Sequence, residues 1–385
     1  MAANTSQTRI VAAAISCGVA AMAPYTVMPL AIGGLIKDFH LTASQGGYIA
    51  AAEMAGSGLA SLIISWFIAR LNWRHTIGAA LVMFALVNVG AAVTSNVWSM
   101  GLLRFAAGLS AGTVAGTIGG ILASTSSPAR GFSVFVLSNR VLGVIIFAAT
   151  PPLILKHWGV SGLYILFAVM ALLPLAFLRY LPGTPLPSHQ AEGKPPSSFT
   201  LPATLAMIGV FAAFVAFGGL WPFLEQIGGL RGLTATQTGF VLSGAQAGGI
   251  CAALLAGALT AKYAHRKLIT IGILSTMAMT IVFILNGTQL GYIISVITFN
   301  SAFVFIIPYL SGMPASLDRT GRLVVIGITM QTAGMAIGPA GAGLILAQSS
   351  YAVLFAIAAM MLGLALILIL SATRKSHTIT TATAE

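Results

Sequence analysis

Three ionisable residues, Glu53, Arg104 and Arg140, stand inside long apolar runs of this 385-residue chain. A charge in such surroundings must find an opposite charge, a cavity or a set of dipoles, because an uncompensated ion away from water is expensive. Glu53 and Arg104 each lie about seven residues into their runs from the same side, so both sit roughly 10 Å deep. Two chemistries suit that placement: a proton-binding carboxylate released when Arg104 changes partner, or a permanent buried ion pair. Arg140 is about ten residues into its run, near the middle, directly after Asn139. No acid in the sequence shares its depth, and a guanidinium so placed suits a carboxylate, sulfonate or phosphate on a bound solute. The competing reading pairs Arg140 with Glu53 or with carbonyls of a neighbouring helix. Tyr25, Thr26, Gln246, Asn300 and Gln331 are neutral groups at comparable depth. Asn300 is the strongest of these, since a buried amide needs partners that hydrocarbon cannot offer. For Gln246 and Gln331 an interhelical hydrogen bond serves equally well.

The elements that hold these residues follow from composition. Hydrophobic residues make up 58% of the chain and charged residues 6%, with a mean hydropathy of +0.98. A soluble domain carries about 25% charged residues, so this composition excludes a soluble enzyme, a nucleic-acid-binding domain and a disordered chain. Cys17 and Cys251 both fall in apolar runs and form no disulfide or metal framework, and the six histidines lie in loops, at span ends or in the tail. Neither a metal nor a cofactor is expected. Runs of about 20 apolar residues, enough to cross roughly 30 Å of hydrocarbon, recur twelve times: 10–36, 46–69, 76–95, 97–123, 131–155 and 159–181, then 201–224, 235–261, 268–286, 289–312, 323–347 and 351–372. The first is too long for a cleaved signal peptide, and Pro24 and Pro29 interrupt it.

Basic residues orient these spans. With both ends in the cytoplasm, thirteen Lys and Arg fall in inner segments and three, Lys37, Lys156 and Arg231, in outer loops. The opposite orientation inverts that bias, so a bacterial inner-membrane protein with cytoplasmic termini is expected. The net charge of +12 is therefore a topology signal and does not mark nucleic acid as a partner.

A Pro- and Ser-rich stretch, 182–200, divides the chain into residues 1–181 and 201–385, six spans each. Across it the sequence repeats. Residues 41-LTASQGGYIAAAEMAGSGLASLIISWFIARLNWRHTI-77 align without gaps to 233-LTATQTGFVLSGAQAGGICAALLAGALTAKYAHRKLI-269, at an offset of 192 with 12 of 37 positions identical. The same offset lays 123-ASTSSPAR-130 on 315-ASLDRTGR-322. Two homologous six-helix halves related by an axis along the membrane normal are expected of a rocker-type carrier. The fold class is thus an all-α polytopic membrane protein of two pseudo-symmetric bundles. Gly108, Gly112, Gly116, Gly119 and Gly120 form a small-residue face for close helix packing, not a dinucleotide loop.

Over essentially its whole length the chain resembles the major facilitator superfamily. The segment 65-SWFIARLNWR-74 is similar to that family's G-x-x-x-D-R-x-G-R-R loop, keeping Arg70 and Arg74 but carrying Ser65, Ala69 and Asn72 at the first Gly, the Asp and the second Gly. Its repeat, 257-GALTAKYAHRK-267, keeps Gly257, Lys262 and Arg266, with Ala261 at the Asp. In span 4, 104-RFAAGLSAG-112 is similar to the R-x-x-x-G pattern, and in span 11, 334-GMAIGPAGAG-343 is similar to the Gly-Pro motif of the family's antiporters, which sits there in span 5. The resemblance implies alternating access, with spans 1, 4, 7 and 10 lining a cavity and 2, 5, 8 and 11 beside it. Substrate contacts would then fall to Arg140, Asn139, Tyr25, Thr26, Gln246, Asn300 and Gln331, and proton coupling to Glu53 and Arg104. Gating would fall to Arg70, Arg74, Lys262 and Arg266 at one end, and at the other to Trp221 and Pro222, with Glu225 a solvated rim carboxylate. The expected function is secondary transport of a small organic anion, proton-coupled, by a functional monomer; the alternative is a multidrug/proton antiporter for cationic or amphipathic compounds. A membrane-embedded enzyme would need Asp pairs, a Ser-His set or metal ligands at mid-depth, and no His or Asp lies there. A two-fold repeat with one unmatched arginine also suits a carrier better than a channel built from symmetric rings.

Overall fold

The computed structural model describes residues 2–183, 200–260, 262–285, 287–317 and 322–382. Most of the 182–200 linker, with Lys194, lies outside them, as do Ala261 and Arg319. Among the described residues every regular element is a helix and none is a strand, and the chain divides into two compact units, Met1–Ala191 and Glu192–Glu385. The first unit holds α1 (Ala2–Thr26), α2 (Met28–Asp38), α3 (Ala43–Phe67), α4 (Trp73–Val93), α5 (Val97–Ala123), α6 (Pro128–Thr150) and α7 (Lys156–Leu172). The second holds α8 (Leu201–Leu220), α9 (Leu224–Leu230), α10 (Ala235–Thr260), α11 (His265–Leu285), α12 (Gln289–Leu317), α13 (Arg322–Gln348) and α14 (Tyr351–Ala382).

Among the described residues eleven stretches are long and apolar enough to cross a membrane, and one of them, Pro128–Tyr180, is 53 residues long. At 1.5 Å per residue that is about 80 Å, more than twice one crossing. It folds back at Gly159, whose φ of 58° and ψ of −157° suit only glycine. The Asp38 carboxylate caps the returning helix, accepting from the Val160 amide at 2.7 Å, and a Cβ on Gly159 would lie 2.5 Å from the same oxygen. The stretch therefore holds two spans, and the twelve of the sequence are present. Apolar side chains such as Trp66, Val93, Trp98 and Leu102 face outward, as in a protein solvated by lipid.

Span irregularities sit where proline dictates. Span 1 breaks at Val27, between α1 and α2, with Pro29 in the first turn of α2, where its missing N–H costs nothing. Span 7 changes to a 3₁₀ turn at Trp221–Phe223, started by Pro222. Pro151 and Pro152 open a π-helical segment, Pro151–Leu155, after α6.

The repeat seen in the sequence is physical. Thr42 and Gln45 cap α3 reciprocally, at 2.9 and 3.2 Å, and Thr234 and Gln237, 192 residues on, cap α10 at the same distances. Asn96 caps α5 and its counterpart Thr288 caps α12. The helix pairs α3–α5, α4–α5, α4–α7 and α1–α6 of the first unit recur as α10–α12, α11–α12, α11–α14 and α8–α13 of the second.

The closest of these contacts is α3 on α5. A Cβ built on Gly108 would collide with the Glu53 carbonyl oxygen, one on Gly112 with the Ser57 carbonyl, and one on Gly56 with the Phe105 carbonyl. Ser61 adds a hydrogen bond to the Gly112 carbonyl at 3.1 Å. Gly116 and Gly120 continue the face against Ile64 and Ile68, while a Cβ on Gly119 would meet nothing. Gly108→Leu is therefore expected to part the two helices and to cost more than the roughly 1–3 kcal/mol of ordinary overpacking. Gly119→Ala, in open space within α5, should leave stability unchanged or raise it by up to about 1 kcal/mol. Thermal unfolding of both variants in one detergent checks this; equal melting temperatures would refute the packing account.

Candidate functional site

The α3–α5 approach carries Glu53 to Arg104. Arg104 Nε donates to Glu53 Oε2 at 3.2 Å, and its Nη2 donates to Oε1, so the pair is bidentate. Both residues are buried, Arg104 at 1% exposure and Glu53 at 5%. Arg104 Nη1 donates to Asn88 Oδ1 of α4 at 2.8 Å, and Asn88 in turn donates to the Phe84 carbonyl at 2.7 Å. The guanidinium also lies 4.9 Å from the ring centre of Tyr164 on α7, a cation–π contact. Tyr25 of α1 brings its hydroxyl beside Ser57 and within the field of both charges. Five spans thus converge on one buried ion pair. Asn88 and Tyr164 escaped the sequence reading, although a lone amide in the middle of the third apolar run was the available signal.

Both oxygens of Glu53 accept from Arg104. Arg140 stands on α6, next to a residue of the α1–α6 contact. Thr26 Oγ1 donates to Asn139 Oδ1 at 3.2 Å, joining those helices directly beside Arg140, which is half-buried. Arg140 lies 12 residues beyond Pro128, about 18 Å along the helix, so it is past the midpoint of a roughly 30 Å core. Thr26 and Asn139 thus join α1 to α6 one residue before Arg140, and Tyr25 is the neighbour of Thr26 on α1.

In the second unit Asn300 of α12 is fully buried and donates from Nδ2 to the Ala245 carbonyl of α10 at 2.7 Å, while its Oδ1 has no hydrogen-bond partner among the described residues. Gln246 is buried beside it. Gln331 Nε2 donates to Ser311 Oγ at 3.2 Å, tying α13 to α12. Trp221 is buried and stacked on Phe217 at 5.6 Å, and Phe217 is stacked on Phe303 at 3.9 Å and on Phe299 at 5.4 Å. The sequence reading missed this ladder. Its signal is the spacing of Phe214, Phe217 and Trp221 at three and four residues, facing Phe299 and Phe303 at four. The Gly-Pro segment of span 11 packs α13 on α8: a Cβ on Gly338 would lie 2.6 Å from the Gly219 nitrogen and the Val215 carbonyl oxygen of α8. Glu225, expected as a solvated rim carboxylate, is half-buried, with its charge facing Tyr292 and Tyr351.

Of the expected gating residues, Arg74 is a structural tie. Its Nε and Nη2 donate to the Leu181 carbonyl at 2.9 and 2.6 Å, and Nη2 also to the Arg179 carbonyl at 3.2 Å. Arg70 and Lys262 are exposed and Arg266 is half-buried. Among the described residues no group of three His, Cys, Asp or Glu could hold a metal.

The Major Facilitator Superfamily profile matches residues 13–319 and, in a second match, 206–385. The chain belongs to that family. Among solved structures, a mutant of the nucleoside transporter NupG is similar over 96% of this chain and 98% of its own, with a TM-score of 0.74 and 11% identity. A bacterial homolog of the human lysosomal transporter Spinster, in an inward-facing and occupied conformation, is similar over 96% and 97%, with a TM-score of 0.72 and 14% identity. Among curated proteins none matches. The protein is an integral membrane transporter and not an enzyme.

The ion pair makes a direct prediction. Glu53→Gln strands a buried guanidinium and should destabilise the protein by about 3–5 kcal/mol. A Glu53→Leu/Arg104→Leu double variant should lose less than either single change, because no charge is then left unpaired. Chemical unfolding monitored by tryptophan fluorescence reads the difference; a Glu53→Gln protein as stable as the wild type would sink the pairing argument.

Proposed function

We propose that this transporter moves a small organic anion by alternating access of its two six-span units and couples that movement to a proton. The observation that carries the substrate class is Arg140, a guanidinium near mid-depth of a membrane span, half-buried and held beside the Thr26–Asn139 contact. An arginine at that depth is costly and is retained for an anionic partner. Its planar fork suits a carboxylate, sulfonate or phosphate, and Asn139, Thr26 and Tyr25 add hydrogen-bonding groups along the same two helices.

Proton coupling is assigned to Glu53 with Arg104. The support is a comparison within the chain. At the offset of 192, Glu53 and Arg104 correspond to Ala245 and Val296, and α10 packs on α12 without a charge. The ion pair is thus not what this helix pair needs in order to pack. In the proposed cycle the break of span 1 at Val27 lets Tyr25 and the solute side of α1 shift, Arg104 loosens its hold, and Glu53 takes the proton. The excess of basic residues on one side supports cytoplasmic termini in a bacterial inner membrane. One chain carries both units, so the monomer is the working form.

The aromatic ladder of Phe217, Trp221, Phe299 and Phe303 favours a second reading, a cationic or ring-bearing solute stacked on those faces. Nucleosides, the cargo named for NupG, fall in the ring-bearing class. Uptake into proteoliposomes decides. Arg140→Gln should lower uptake of an organic anion at least tenfold while the purified protein keeps its melting temperature, and Arg140→Lys should retain part of it. Glu53→Gln should abolish accumulation driven by a pH gradient but keep solute exchange at equilibrium. Full anion transport by Arg140→Gln would overturn the substrate assignment, and saturable uptake of lipophilic cations would install the second reading.

A further inference from the structure

A groove of about 500 Å³ runs along the first unit between α1, α6, the π-helical segment and α7. Small residues hollow it: Ser16 and Ala20 on α1 and Ala149 on α6. Exposed Ile145, Leu153 and Phe177 form its rims. Two helix irregularities shape it, the π-helical Pro151–Leu155 and the 3₁₀ Leu173–Tyr180 with Pro174 in its first turn. Its lining asks for no polar ligand, since Ser16 turns its hydroxyl to the Ala13 carbonyl at 2.9 Å. From Leu142 to Ile154 it follows about 18 Å of helix. That is close to one leaflet of the hydrocarbon core, about 15 Å.

A basic segment follows Ile154, the last lining residue of this stretch. Immediately beyond the π-helical segment come Lys156, His157 and Trp158, all exposed, with the His157 and Trp158 rings edge-on at 5.9 Å. A tryptophan at that position marks the headgroup level, and a basic side chain there attracts an anionic headgroup. The geometry points to a binding site for one anionic glycerophospholipid, with an acyl chain in the groove and its phosphate on Lys156 and His157. This site does not depend on which solute is carried.

The energetics decide what such a site can select. An acyl chain that leaves bulk lipid for the groove exchanges one apolar environment for another, so area burial contributes little. What remains is dispersion contact along a groove that small residues leave underfilled, and the headgroup charge. The site therefore selects by headgroup. Its consequence is local: α1 and α6, which line it, also carry Thr26, Asn139 and Arg140, so an occupied groove braces their contact.

The experiment uses the full chain, purified in detergent and stripped of lipid, with palmitoyl-oleoyl phosphatidylglycerol or phosphatidylcholine added at equal concentration. Phosphatidylglycerol should raise the wild-type melting temperature by several degrees more than phosphatidylcholine. Lys156→Gln with His157→Gln, both exposed positions, should bring the phosphatidylglycerol shift down to the phosphatidylcholine value. Ala149→Trp, which fills the groove, should remove both shifts. Equal shifts for the two lipids in the wild type would overturn the proposal, as would a double variant that keeps the phosphatidylglycerol preference. The charge variant decides alone if Ala149→Trp does not fold.

Discussion

The carboxylate of Glu53 and the guanidinium of Arg104 meet at hydrocarbon depth with almost no exposure, and most of the first unit is arranged around that fact. Neither ion is tolerable there alone, and neither can reach the other unless α3 and α5 come to backbone contact. Gly56, Gly108 and Gly112 make that approach possible, because a side chain at any of them would strike a carbonyl of the facing helix. The remaining N–H of Arg104 then recruits Asn88 from α4, and its flat face recruits Tyr164 from α7. Satisfying one buried charge therefore specifies four helix positions at once, with a precision that apolar packing in lipid does not supply.

The second unit meets the same geometric problem without ions. Asn300 stands where the first unit has Gly108, and its amide donates to the carbonyl of Ala245, the counterpart of Glu53. Gly249 stands where the first unit has Ser57, so the small residue has moved from one helix of the pair to the other. The pairing of the two helices recurs within the chain while the chemistry at the contact differs.

Span number, the internal repeat and the family were readable because they rest on composition and on an ungapped offset, which fold geometry cannot disguise. The Glu53–Arg104 pairing was readable as well, since equal depth on two spans of one half leaves few other partners. Asn88 and Tyr164 were not, because a lone polar residue in an apolar run gives its depth but not the direction in which it points. The fate of Arg74 was hidden for a related reason: its partners are the carbonyls of Arg179 and Leu181, and backbone acceptors leave no mark in a sequence. The aromatic ladder was spelled out at helical spacing, yet such spacing also describes ordinary core, and only the facing pair on α12 distinguishes the two.

The distribution of helix defects completes the physical argument. Proline breaks or widens span 1 at Val27, the end of span 5 at Pro151 and span 7 at Pro222, and Pro339 lies inside α13. Spans 2, 3, 4, 8 and 9 run without such interruption. The interrupted α1 packs on α6 and on α5, and α8 on α13 and α14, while α3 and α5 meet in glycine contact. A defect lowers the barrier to bending where it occurs, and close backbone packing raises it. Thr26, Asn139 and Arg140 sit on the bendable pair, and Glu53 and Arg104 on the rigid one. Tyr25 belongs to the bendable helix and reaches the rigid pair. The polar contact of α1 with α6 and the ion pair of α3 with α5 thus meet through α1, which packs on both α5 and α6.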